Sequence, residues 1–128
     1  MALSRFAQEL ADEVRGHDWS DSPWRLDRAG HQWAQDRGKQ IADPLDSRET
    51  DNVRTNVMWV MAQVLLHADP NFDVHEFATA CGVPNRIVFN ADGRRSGAIR
   101  TGLRIDHATG RAARPGTWEF DPIDGEVA

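Results

Sequence analysis

The chain has no tyrosine, one lysine and one cysteine among its 128 residues. The lone thiol, Cys81, can form no disulfide within the chain and excludes a zinc site built on paired cysteines. A reducing compartment is therefore expected. The first residues, MALSRFAQELADEVRG, interleave charges with apolar groups and lack the ~7–15-residue apolar core of a signal peptide. The longest apolar-rich run, residues 57–66, is interrupted by Gln63 and falls far short of the ~20 residues of a membrane span. The expectation is a soluble, cytoplasmic protein with no membrane partner.

Several chemistries are also missing. There is no GxxxxGK[ST] loop, no GxGxxG after a strand and no GxSxG turn, which disfavours nucleotide-dependent enzymes and serine hydrolases. His17, His31, His67, His75 and His107 are scattered without HxH or HExxH spacing, so no metal site is expected. His31 falls on an apolar rhythm and reads as a hydrogen-bonded core histidine. Asp43, Asp46, Glu49 and Asp51 are explained by capping and solvation. Cys81 and His75, six residues apart, would lie on different faces of one helix, and Cys81 reads as a buried structural thiol. No catalytic residue, cofactor or enzymatic activity is expected.

What is present is an uneven charge layout. Residues 1–84 hold eight basic and fourteen acidic groups, residues 85–117 hold seven arginines and two aspartates, and residues 118–128 hold four acids and no base. The composition changes near Pro84. Two parts of one packed unit are expected: a helical part, 1–84, and an arginine-rich appendage or partly ordered tail, 85–128.

The expected fold is mainly α: three longer helices and one short capped helix, followed by a small antiparallel β appendage. The first helix, residues 4–15, carries Leu3, Phe6, Ala7, Leu10 and Val14 on one stripe, with Gly16 as a left-handed stop. The second is expected from Ser22-Pro23 to about Ala42, with Trp24, His31, Ala34, Gly38 and Ile41 in a three–four rhythm and Trp33 alongside. The third, residues 47–67, opens on a capping box, Asp46 to Glu49. Val53, Val57, Val60, Met61, Val64 and Leu65 form its expected buried face, and it is apolar almost all round. That reads as the central helix of a bundle and favours a homodimer. The fourth, residues 74–81, has Asp73 as cap, Phe72 and Phe77 as a hydrophobic staple, and Gly82-Pro84 as its stop.

Beyond Pro84 the rhythm changes. Residues 86–89 are β-prone, Asn90-Ala91-Asp92-Gly93 and Thr109-Gly110 are turns, and residues 99–106 alternate apolar and polar as a strand does. Residues 118–120 are a possible third strand.

The run Asp69-Pro70-Asn71-Phe72-Asp73-Val74-His75-Glu76-Phe77-Ala78-Thr79-Ala80-Cys81-Gly82-Val83 resembles an ending, NPxFDxxRFxxACG, found in small actinobacterial and actinobacteriophage proteins of unknown function. Gln32-Trp33-Ala34-Gln35-Asp36 and Lys39-Gln40-Ile41-Ala42 are similar to the tryptophan-bearing middle helix of those proteins. The resemblance spans residues 31–83. This chain departs from it at Asp69 and at His75-Glu76, and runs about forty-five residues further. It implies a helical fold and a phage or prophage origin, and it transfers no activity.

Two functions are expected from these features. The first is a non-enzymatic accessory protein that binds a host protein. The second is a small nucleic-acid-binding regulator using the arginine-rich segment 86–114. Trp19, Trp24, Arg94, Arg95, Arg100, Arg104 and Trp118 are the candidate partner-binding residues, because exposed tryptophan with arginine is the composition of a binding surface. Against the nucleic-acid reading, the arginines can instead pair with the acidic helical part in cis.

Overall fold

The computed structural model describes residues 3–36 and 43–120. Its architecture is mainly helical, with five α-helical segments among the described residues: α1 (Arg5–Gly16), α2 (Ser47–Ala68), α3 (Val74–Ala80), α4 (Asn85–Val88) and α5 (Ala98–Thr101). None of them is long and apolar enough to cross a membrane.

Local chemistry sets the helix ends. Ser4 accepts a hydrogen bond from the Ala7 N–H at 3.1 Å and starts α1. At the start of α2, Asp46 accepts from the Glu49 N–H at 2.8 Å and Glu49 accepts from the Asp46 N–H at 3.0 Å, the reciprocal pair expected of a capping box. Asp73 caps α3 through the Glu76 N–H, and the Phe72 and Phe77 rings meet at 5.3 Å across that cap. Gly82 takes a φ of +89°, which a side chain would resist, and turns the chain out of α3. Gly16 differs from expectation: it is the last residue of α1, and His17 leaves the helix in extended backbone.

The core is one apolar cluster. Ala7, Ala11 and Val14 of α1 meet Met58, Ala62 and Leu66 of α2 and Val74, Phe77 and Ala78 of α3; Cys81, Val83, Val88, Ile99, Leu103 and Ile105 complete it. The residues after Pro84 thus lie on the same core as the helices.

Three expectations are corrected. The first concerns the β appendage. There is no strand among the described residues. The two expected turns do form, but each closes only an isolated antiparallel bridge, Phe89 with Arg95 and Ile105 with Ala112. Where 86–89 was read as β-prone and 99–106 as a strand, residues 85–88 and 98–101 each close a single helical turn, which buries Val88 and Ile99 fully. Residues 119–120 are a turn, and Phe120 has a φ of +65°.

The second concerns the helix expected at 23–42. Only a 3-10 turn, Ser22–Trp24, forms where it should begin, and Arg25 is already extended. Gly30 has a φ of +80°, which a right-handed helix cannot accommodate. Residues 37–42 of that expected helix lie outside the described residues.

The third concerns the buried stripe of α2. Its buried residues are Thr55, Met58, Ala62, Gln63 and Leu66, whereas Val60 is 72% and Val64 48% exposed. A helix apolar all round gives hydrophobic periodicity no means of choosing a face. Hydrogen bonding helps to choose it. The Gln63 carboxamide donates to the Arg104 and Ala113 carbonyls and accepts from the Arg104 N–H, so it must turn inward, which leaves Val60 and Val64 on the outside.

Candidate functional sites

Two features outside the apolar core carry chemistry. One is an apolar groove on α2 and the other a buried charged cluster in residues 17–36.

The groove, about 360 Å³, lies between the exposed side of α2 and the 115–118 segment. Trp59, Val60 and Val64 form its α2 wall, and Arg104 and Trp118 face them. Trp59 is held by its indole N–H, which donates to the Ile99 carbonyl at 2.8 Å. Gly102 admits the Trp59 ring; a Cβ there would stand 2.1 Å from it. Opposite, the Arg104 guanidinium carbon lies 5.6 Å from the centre of the Trp118 ring, a cation–π contact. Trp118 is 62% exposed.

In the 17–36 lobe, His31 is fully buried. Its Nδ1 meets Asp36 Oδ2 at 2.5 Å and Asp27 Oδ1 at 3.4 Å, and its Nε2 meets Asp21 Oδ1 at 2.9 Å. A neutral imidazole has one N–H, so facing carboxylates with both nitrogens is the arrangement of an imidazolium. Burial alone would lower the His31 pKa. The hydrogen bonds with Asp36 and Asp21, with the charges of Asp21 and Asp27, outweigh burial and raise it. Arg25 contacts Asp21 at 3.3 Å and Asp27 at 2.5 Å. His17 behaves oppositely: burial and the nearby His31 charge lower its pKa.

Ligand atoms of Asp21, Asp27 and His31 all lie within 4.8 Å of one another, close enough for a shared cation. Yet both His31 nitrogens are turned to carboxylates, and the Arg25 guanidinium sits against the two aspartates. The donor set is satisfied by protein cations. Further hydrogen bonds tie the lobe together: the Asp18 N–H donates to the His31 carbonyl, the Trp33 N–H donates to Asp18, and Gln32 Nε2 donates to the Gly16 carbonyl.

The candidate residues read from the sequence divide among separate places. Arg104 and Trp118 come together in the groove. Trp19 is half-buried in the lobe, its indole N–H donating to the Val14 carbonyl and its ring 4.3 Å from that of His17. Trp24 is exposed in the 3-10 turn. Arg94 is exposed beside Asp92 in the 90–93 turn, Arg95 pairs with Asp73 through two hydrogen bonds of 2.9–3.1 Å, and Arg100 is exposed on α5. Cys81 is fully buried, and burial pushes its thiol up to about 12, far from a reactive thiolate.

Sequence reasoning missed two things. Val60 and Val64 were assigned to the buried face and instead wall the groove, beside Trp59, which also packs against the core. Asp21, Asp27 and Asp36 were not joined to His31, although Asp27 and His31 are four residues apart, and the density of aspartates around one histidine was the available signal. Compared with protein-family models, curated proteins and solved structures, the chain matches none.

Proposed function

We propose that the chain is a non-enzymatic interaction module that binds a partner protein through the α2 groove, a host protein if the actinobacteriophage resemblance of residues 31–83 holds. The observation that carries this reading is the exposure of Val60, Val64 and Trp118 around one recess with an arginine in its wall. Large apolar side chains gathered at one exposed site are a mark of recognition surfaces, and Trp and Arg are the residues that most often anchor them.

The nucleic-acid alternative has less behind it. Of the arginines in 86–114, Arg86 faces Asp51, Arg94 Asp92, Arg95 Asp73 and Arg114 Glu119. Their charge is largely answered within the chain, and the net charge of −5 opposes approach to a polyanion.

The test is paired capture from an actinobacterial lysate, using the wild type and a Val60→Asp/Trp118→Ala variant whose melting is unchanged. The expected result is a protein retained by the wild type and lost with the variant. Equal capture by both would remove the groove from the function.

A further inference from the structure

We propose that the α2 groove takes a peptide segment of the partner protein that presents an apolar side chain next to a carboxylate, the apolar group lying on Val60 and Val64 and the carboxylate on the Arg104 guanidinium. The inference rests on the groove being the binding site and adds the chemistry of what it binds.

The argument is an account of the polar capacity left in the groove wall. Besides Arg104, the polar side chains there are Gln63, Thr117 and the two indoles. Gln63 has spent its carboxamide on the backbone of Arg104 and Ala113. The Thr117 hydroxyl donates to the Arg114 carbonyl at 2.8 Å. The Trp59 N–H is bound to Ile99. Arg104 forms no ion pair among the described residues, and its Nε–H is buried without a hydrogen-bond acceptor. The neighbouring acid, Glu119, is engaged by the Arg114 N–H and guanidinium and by Thr117, which hold its carboxyl below the ordinary range.

Apart from lone pairs on the Thr117 hydroxyl and the Gln63 carboxamide oxygen, the polar capacity left on the groove's side chains is donor capacity, and its only charged lining residue is a cation. A buried donor without a partner calls for an acceptor. The guanidinium fork suits a carboxylate better than any neutral acceptor, and stacking on Trp118 already orders it. The rest of the wall is valine and tryptophan, so the occupant must also be apolar. About 360 Å³ holds one or two side chains, which fits a short segment and not the face of a folded domain.

The test uses the full chain labelled with ¹⁵N and three probes: N-acetyl-L-leucine, its neutral analogue N-acetyl-L-leucinamide, and the cation L-leucinamide. Cross-peaks of the Arg104 Nε–H and the Trp118 indole N–H are followed in titrations to millimolar concentration. N-acetyl-L-leucine should shift both in a saturable way and bind about tenfold more tightly than the amide, the gain expected when a hydrogen bond becomes charge-assisted. The cation should give no saturable shift. Arg104→Gln should abolish the preference for acid over amide and keep the weak binding of the amide; Arg104→Lys, which keeps the charge and loses the fork, should retain part of it.

Equal binding of acid and amide would overturn the inference and leave the groove as a purely apolar site. Absence of saturable binding by all three probes would also overturn it, and lysate capture would then judge the groove on its own. A dimer seen by light scattering and dissolved by Val60→Asp would place a second copy of the chain in the groove and overturn the peptide occupant.

Discussion

At the centre of the helical body lie Met58, Phe77, Cys81, Val88 and Ile99; at the centre of the 17–36 lobe lie Asp21 and His31, which are just as completely buried. The two regions share a chain and adjoin at α1, yet different forces hold them. Burial of apolar surface scales with area and is indifferent to proton and salt concentration over a wide range. A buried ion cluster holds only while every member keeps its partner and its protonation state. The body should therefore fail only when its packing is broken, and the lobe when one charge is removed. That contrast also accounts for the missing helix at 23–36: the segment is organised around ionic contacts to His31, which need a chain that wraps a point.

The largest expected effect breaks the body. Met58→Asp places an unpaired charge where no atom is exposed and should abolish cooperative unfolding, while Phe77→Ala should cost about 3–5 kcal/mol by leaving a cavity. Val60→Asp, two residues from Met58 on α2, should change thermal stability by no more than ~0.5 kcal/mol, because that side chain is 72% exposed. Circular dichroism melts of the three variants check this. A collapse of Val60→Asp would mean that α2 is covered on its outer side, as in a dimer.

Next comes the lobe. His31→Ala leaves Asp21, Asp27 and Asp36 facing one another with fewer cations, and the lobe should open locally while the body keeps most of its melting temperature. Trypsin should cut at Arg25 and Arg28 at least about tenfold faster, equivalent to ~1.4 kcal/mol of local stability. The wild type should show the same loosening with pH. The His31 pKa is raised above 6.5, so its contribution is complete below that value and is lost as pH rises through the raised value. On the acid side, hydrogen bonding by His31 lowers the Asp36 pKa below 3.8. In Asp18, burial acts upward but the Ser20 and Trp33 hydrogen bonds outweigh it. Those contributions are present above 3.8 and are lost as pH falls through the lowered values. Lobe protection in hydrogen exchange should peak between these limits, and an exchange profile flat across them would show that the ion cluster is not what holds the lobe.

How much of this could be read from residues alone divides along the same line. In the body, local rules were sufficient for the helix ends: Asp46 with Glu49, Asp73 before α3, Phe72 against Phe77 and the left-handed Gly82 are all short-range devices whose signals lie within five residues. The lobe has no such grammar. His31 was readable as a buried, hydrogen-bonded histidine, but its partners lie four, five and ten residues away in irregular chain, a pattern with no period. After Pro84 the turns were legible and the short helical turns between them were not, because alternation of apolar and arginine residues at 99–106 also serves a helical turn followed by one bridge. The groove was half legible. Arg104 and Trp118 stood out by composition, whereas exposure of Val60 and Val64 depended on Gln63 turning inward toward segments about forty and fifty residues away.

A smaller effect should come from Gly102→Ala. The added Cβ would lie 2.1 Å from the Trp59 ring, so the ring must shift and its hydrogen bond to Ile99 must weaken. A loss of about 1–3 kcal/mol is expected, as for overpacking elsewhere, with a change in tryptophan fluorescence. An unchanged melt and spectrum would show that Trp59 does not pack on Gly102.

The smallest effect is expected at the 90–95 turn, where body and solvent meet. Arg95 pairs with Asp73 on the surface, and Arg94 stands 3.8 Å from Asp92 with both side chains largely exposed. Surface pairs of this kind contribute ~0–1 kcal/mol, and Asp73 keeps its bond to the Glu76 N–H, so the α3 cap survives without Arg95. Arg94→Ala/Arg95→Ala should therefore melt within ~1 kcal/mol of the wild type. The same variant decides the nucleic-acid alternative. If these arginines held phosphate, wild-type binding to duplex DNA would weaken steeply with salt, and the variant would lose affinity and flatten that slope, since each neutralised phosphate releases a counterion. With Arg95 committed to Asp73 and the chain carrying a net charge of −5, weak binding with little difference between the two proteins is expected at physiological salt. Tight wild-type binding that the double variant loses would transfer the function from the α2 groove to this turn.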